Sequence, residues 1–295
     1  MGRKTEADPT GQAGNRARSL RRLRSRLSDA EKKIKARFER IPRNRRIVAN
    51  QKTVYSYDLT AEQTQALQAD IRSYLDEDLG TDGNTVAADW FWRTDLELPY
   101  RQGTTEEIVA FNRNVVGAAL AAGVLVRGMK PQRVPAETVL FSKAYRDELN
   151  KVYIRDYTSI KTLSSRTADQ VIQRINAGIS SGKTPSQITD EIVERFDVAK
   201  SEAKRTVTTS INQAYNDAKL RATDLAAGLT GLNAGVRHIS ALMPTTRDNH
   251  AARHGHYYTI SAQEQWWNTG SNRINCHCST ESVLFDESGN PVAAE

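Results

Sequence analysis

The sequence predicts a mainly α-helical protein closed by a small α+β C-terminal module. Three observations carry this. Apolar residues recur at three- and four-residue spacing through most of the first 235 positions, the period of an amphipathic helix. The sequence then turns loop-rich, with short β-type runs such as His238-Ile239-Ser240-Ala241-Leu242. All five histidines and both cysteines fall in this last part. The expected organisation is a basic helical arm (1–52), a helical domain (53–135), a helical domain holding an αα-hairpin (136–235) and a His/Cys-containing module with short strands (236–295).

The arm is defined by charge. Residues 1–52 hold 17 Lys and Arg against 5 Asp and Glu, net +12, whereas the remaining 243 carry 25 against 30, net −5. The whole basic excess therefore sits at one end, the footprint of a polyanion-binding extension. Arg16, Arg18, Arg21, Arg22, Arg24, Arg26, Arg43, Arg45 and Arg46 are the candidate nucleic-acid contacts, because a guanidinium fork matches phosphate geometry. No base-reading motif accompanies them, so non-specific contact with double-stranded DNA is expected. Leu20, Leu23, Leu27, Ile34, Phe38 and Ile41 form one stripe on the same helix. A helix docking that stripe on a partner helix is the compatible alternative. Ser28 and Glu31 have the spacing to cap a second helical segment within the arm.

In the body, residues 53–59 (TVYSYDL) read as a short strand. Thr60 and Gln63 form a capping box that opens a helix through Leu67, Ile71 and Leu75. Trp90, Phe91 and Trp92 mark core or an interface. A long helix runs from Thr105 to about Val126, and Gly128–Pro135 reads as a linker. Helices are expected at 136–160 and 169–180. Thr184-Pro185 starts another through Phe196, and a further helix from Lys200 to Ala227 ends at Gly228 and Gly231.

Several classes are excluded. Two cysteines give no disulfide framework. The longest apolar run, Val115–Val126, is twelve residues, short of the roughly 20 a membrane span needs, so no membrane partner is expected. The first residues lack the apolar core of a secretory signal, and Glu6 replaces the Ser or Thr of a myristoylation site. Intracellular assembly is the expectation.

The chemistry-bearing residues cluster late. His250 and His254 stand four apart, as on one helix face, and Cys276 and Cys278 two apart, as on one strand face. These four residues suit a tetrahedral structural zinc site. Buried thiols with hydrogen-bonded histidines remain the alternative. The His250-Ala251-Ala252-Arg253-His254 spacing is that of a metalloprotease helix, but alanine stands where the glutamate base would be. A metal-dependent nuclease or toxin-like domain is the enzymatic alternative, with Asp248-Asn249-His250 as its weak pointer.

Arg205–Ala218 (RTVTTSINQAYNDA) resembles the R-x-x-x-T-x-x-x-x-A-Y-N-x-A helix of the phage Mu F-like minor head family, with Ser210 where glutamate is common. The tail resembles it further, in Arg247, His250, His254, Gly255, Trp266 or Trp267, and Asn275-Cys276-His277-Cys278-Ser279, with His277 in place of the usual arginine. The resemblance spans roughly residues 150–284. It implies a non-enzymatic minor capsid protein of the virion interior, made in the host cytoplasm, that associates with portal or major capsid protein and contacts packaged DNA.

Overall fold

The computed structural model describes residues 4–48, 52–83 and 90–292, apart from the side chains of 46–48, 52, 93 and 94. It is mainly helical with two small antiparallel sheets. In chain order the elements are α1 (Ala13–Glu39), β1 (Arg43–Val48), β2 (Lys52–Tyr57), α2 (Ala61–Leu79), α3 (Glu97–Phe111), α4 (Gly117–Ala121), α5 (Ala136–Leu140), α6 (Lys143–Ser180), α7 (Pro185–Thr230), β3 (Ala234–Ile239), α8 (Asp248–Ala251), β4 (Tyr257–Thr259), α9 (Ile260–Asn268) and β5 (Ser279–Leu284). Wide π-type turns occupy Trp92–Leu96 and Asn112–Val116.

The chain forms two compact units that interleave along the sequence. One contains Met1–Ala17, Trp92–Ile154 and Val207–Glu295; the other contains Arg18–Phe91 and Arg155–Thr206.

In the second unit, α1 buries Leu23, Leu27, Ala30, Ile34 and Phe38 completely. Their spacing of four, three, four and four residues makes one face of the helix. Leu67, Ile71 and Leu75 of α2, and Ile188, Ile192 and Phe196 of α7, are equally sequestered. Burial of each such side chain contributes about 1.5–3 kcal/mol, so the basic helix is part of a core. It is also one helix, continuous through Ser28 and Glu31. Residues 43–48, expected within a helical arm, instead pair with β2, placing Arg43 opposite Tyr57 and Arg45 opposite Tyr55. Pro42 explains the change, because it ends the helix and favours extended backbone just before it.

The expected αα-hairpin of helices at 184–196 and 200–227 does not form, because both lie within the single helix α7; the hairpin present is that of α6 and α7. The expected breaks at 160–169 and 196–200 are absent, and α6 and α7 run 38 and 46 residues. Gly182, at φ +66°, makes the turn between them. A capping box starts α7, with Gln187 N–H donating to Thr184 Oγ1 (3.2 Å) and Thr184 N–H to Gln187 Oε1 (2.9 Å). The predicted capping box of α2 is likewise present at Thr60 and Gln63. Trp90 packs on Phe91, whereas Trp92 packs edge-on against Tyr153.

In the first unit, the β4-β3-β5 sheet places β3 at its centre. A buried ion pair ties this sheet to the helices. Lys219 of α7 lies 2.8 Å from Glu107 Oε2 of α3, while Glu107 Oε1 accepts from Thr223 Oγ1 and the Ser282 N–H of β5. Around it, Phe111, Val115, Val116, Ala119, Ala222 and Ala226 form an apolar cluster.

In the second unit, Asp76 accepts from Lys161 Nζ (2.6 Å), Thr81 Oγ1 (2.7 Å) and Ser164 Oγ (2.7 Å). Burial alone would raise its carboxyl, but these bonds outweigh burial and hold it below the ordinary range. The folded carboxyl thus ionises below its unfolded value of about 3.9. Its stabilisation is full above that pH and is lost progressively as pH falls from there through the lower folded value. Asp76→Asn is expected to cost about 1–3 kcal/mol at neutral pH and to flatten the acid limb of melting temperature against pH. An acid limb identical to that of the parent would refute this.

Candidate metal centre and nucleic-acid interface

The centre is built on one face of α7. Thr209, Asn212 and Asn216 follow at i, i+3 and i+7, so they share that face. Each takes hold of the backbone around the cysteines. Asn275 N–H donates to Thr209 Oγ1 (2.9 Å), Asn212 Nδ2 donates to the Cys276 carbonyl (2.7 Å), and Asn216 Nδ2 donates to the Cys278 carbonyl (2.8 Å). The loop enters this grip through Asn275, which adopts φ +52°. Asparagine tolerates that left-handed conformation better than most residues. Arg247 secures the preceding turn by donating to the Ser271, Asn272 and Ile274 carbonyls. Arg273 pairs with Asp217.

This loop brings Cys276 and Cys278 to His250, which α8 presents. All three are buried. His250 Nδ1 lies 3.5 Å from each sulfur. The three ligand atoms all lie within 4.8 Å of one another, and among the described residues this is the metal-competent group. In a tetrahedral shell with Zn–S of about 2.3 Å and Zn–N of about 2.0–2.1 Å, nitrogen and sulfur ligands sit about 3.5 Å apart. The observed spacing therefore fits zinc. The Cys276 thiol donates to Cys278, and His238 and His250 act in the same sense. Together they overcome burial and hold Cys278 far below the usual thiol range. The same partnership and burial push Cys276 well above it. A pair with one thiol already inclined to ionise is suited to a cation.

His254 does not join the group. The expected shared helix face requires another turn of helix, but α8 ends at Ala251 and the chain turns through Gly255 at φ +80°. His254 Nδ1 instead accepts from the Ser240 N–H at 3.2 Å. The histidine that sequence spacing missed is His238, on β3. It is fully buried, its Nδ1 lies 3.3 Å from Gln263 Oε1, and its Nε2 makes no hydrogen bond. Trp266 covers both imidazoles, at 5.3 Å from His238 and 4.7 Å from His250.

The candidate phosphate contacts divide. Arg16 is largely internal: it pairs with Asp8 (3.1 Å) and donates to Asn212 Oδ1 (2.7 Å). Arg26 donates to the Asp78 carbonyl (2.7 Å) and stacks over Trp90 at 4.6 Å. Arg22 is half-buried. Arg18, Arg21, Arg24, Arg43 and Arg45 are exposed, Arg24 bonding the Lys200 carbonyl and Arg43 the Glu39 carbonyl. The Arg46 side chain lies outside the described residues. Other arm cations meet acids, as Lys33 does with Asp78 and Arg37 with Asp70.

Residues 169–281 match the family described as phage Mu protein F like protein. Over that segment the chain is similar to this phage head family. The Mu F-like segment begins inside α6 and ends inside β5, so it contains the gripping face of α7, His250 and both cysteines. It covers less than half of the chain. No match was found among curated proteins or solved structures. No described helix is long and apolar enough to cross a membrane.

The grip predicts its own test. Asn216→Ala removes the donor to Cys278 and is expected to accelerate thiol modification by a disulfide reagent, in metal-free protein, by about tenfold or more. A double-asparagine variant with parental thiol kinetics would refute the assigned role.

Proposed function

We propose that this chain is a structural protein of the phage head whose His/Cys module is locked by zinc and whose exposed N-terminal arginines contact packaged DNA without reading its sequence. The observation that carries the zinc reading is the equal 3.5 Å separation of His250 Nδ1 from the two sulfurs. His250, Cys276 and Cys278 would hold the ion. Bound there, zinc would neutralise thiolate charge and cross-link α8 to the loop leading into β5, substituting for apolar core in a loop-rich region. The role is structural: the ligand group contains no carboxylate to serve as a base.

The DNA reading rests on the five exposed arginines, Arg18 and Arg21 among them, and on the +12 charge of residues 1–52. Association with portal or major capsid protein, inside the particle, completes the proposal, and the likeness to a phage head family supports it.

Deleting residues 1–52 would remove the core face of α1, so point variants are the sound test. Arg43→Glu with Arg45→Glu is expected to weaken duplex binding by about tenfold or more. Five phosphate contacts imply a salt slope of about −4 to −5. Arg16→Ala is expected to lower melting temperature while leaving DNA affinity nearly unchanged. Parental affinity and salt slope in the Arg43/Arg45 variant would remove DNA contact from the account.

A further inference from the structure

We infer that residues 122–135, with Leu229 at the end of α7, form a docking surface for an acidic amphipathic segment of a partner protein. This goes beyond the reading above and depends on neither zinc nor DNA.

The loop is held in place. Asn112 Nδ2 donates to the Val134 carbonyl and Asn112 Oδ1 accepts the Val134 N–H, both at 2.8 Å. Pro131 and Val134 are buried. Val126 rests on Gly231 so closely that a Cβ there would come within 2.8 Å of Val126 Cγ1. Between these anchors the chain makes a tight hairpin, with reciprocal backbone bonds between Val126 and Met129 at 2.9 and 3.0 Å. Its two central residues, Arg127 and Gly128, have φ of +52° and +78°. Asn-Gly is the favoured pair for such a turn. An arginine carries a Cβ into a conformation that disfavours one, so a local folding rationale for it is missing.

What the hairpin displays is a mixture. Leu125 is 58% exposed, Met129 68% and Leu229 59%. Met129 and Leu229 line a hollow of about 490 Å³ together with Val126, Arg127, Lys130 and Arg133. No acidic residue lines it. Arg127, Lys130 and Arg133 are exposed, and among the described residues they make no ion pair or side-chain hydrogen bond. Elsewhere cations of this chain meet acids, as at Lys33–Asp78, Lys161–Asp76 and Lys219–Glu107.

Three unpaired cations around exposed apolar side chains call for a ligand with both complements. Duplex DNA would satisfy the cations and leave Met129 and Leu229 wet. An amphipathic helix with carboxylates flanking an apolar stripe satisfies both, placing a large side chain in the hollow and carboxylates on the rim.

The test uses the full chain and fluorescence anisotropy. One labelled peptide carries leucines at i, i+3, i+4 and i+7 with glutamates elsewhere; a second has lysine for every glutamate. Labelled duplex DNA and anionic phosphatidylglycerol vesicles serve as the other ligands. The glutamate peptide is expected to bind saturably, more weakly as salt rises, and at least about tenfold more tightly than the lysine peptide. Two variants are each expected to weaken it at least about tenfold. One combines Arg127→Gly, which keeps the turn, with Lys130→Glu and Arg133→Glu. The other combines Met129→Ser with Leu229→Ser. Unchanged melting curves identify both as folded. Absence of saturable binding, equal binding of the two peptides, or binding that survives both variants would overturn the inference. So would DNA or vesicle binding that the charge variant abolishes.

Discussion

Two side-chain amides carry the C-terminal module. Asn212 and Asn216 donate to the carbonyls of Cys276 and Cys278, and with Thr209 they fix both the path and the facing of the cysteine loop. The constraint is severe because Cys276 and Cys278 are buried in a loop with little apolar mass of its own. A buried carbonyl without a donor costs about 1–3 kcal/mol, so the loop can be buried there only where the helix supplies donors in register. Helical geometry puts two donors, Asn212 and Asn216, and one acceptor, Thr209 Oγ1, on the same face. The position of both sulfurs relative to His250 follows from that register. Asn212 also ties inward in the other direction, accepting from Arg16, which is itself paired with Asp8. The start of the chain is thereby part of the same buried polar network as the cysteines.

That network changes the meaning of the charge asymmetry. A +12 segment reads as a detachable tail when only composition is considered. In the fold, its apolar stripe is core and several of its cations neutralise acids, so the surface available to a polyanion is narrower than the net charge implies. Exposed arginines remain at the start of α1 and on the β1–β2 ribbon. A two-stranded ribbon has the dimensions of a DNA groove.

Some local signals in the sequence translated directly. The capping box predicted at Thr60 and Gln63 involves residues three apart and needs nothing else to form, whereas the Ser28 and Glu31 pair of the same spacing lies inside continuous α1. The stripe through Leu23, Leu27, Ile34 and Phe38 appeared as the buried face of α1. Signals that depended on where an element stops were harder to read. His250 and His254 have helical spacing, but the helix between them is only four residues long, a length set by Gly255 and the turn back to β3. No Gly or Pro interrupts 196–203, and Ala199 and Ala203 are fully buried, so packing carried α7 across an expected turn. Pro42 was the available warning that the basic helix would not reach Arg43. Of the asparagine grip only Asn216 was a letter in the family-like motif, and Asn212 carried no signal, because each bond joins residues more than sixty positions apart. His238 was missed for the same reason: its approach to Cys278 is a property of the sheet.

The central claim is that α7 holds two thiols and an imidazole at the spacing of a metal shell. Cobalt(II) titration of the reduced full chain reads this directly, since thiolate ligation gives charge-transfer absorption and tetrahedral cobalt gives intense visible bands. The account predicts saturation at a single ion per chain, displacement by zinc, and loss of the thiolate bands in Cys278→Ser and His250→Ala. A featureless octahedral spectrum, or an unchanged one in both variants, would contradict it.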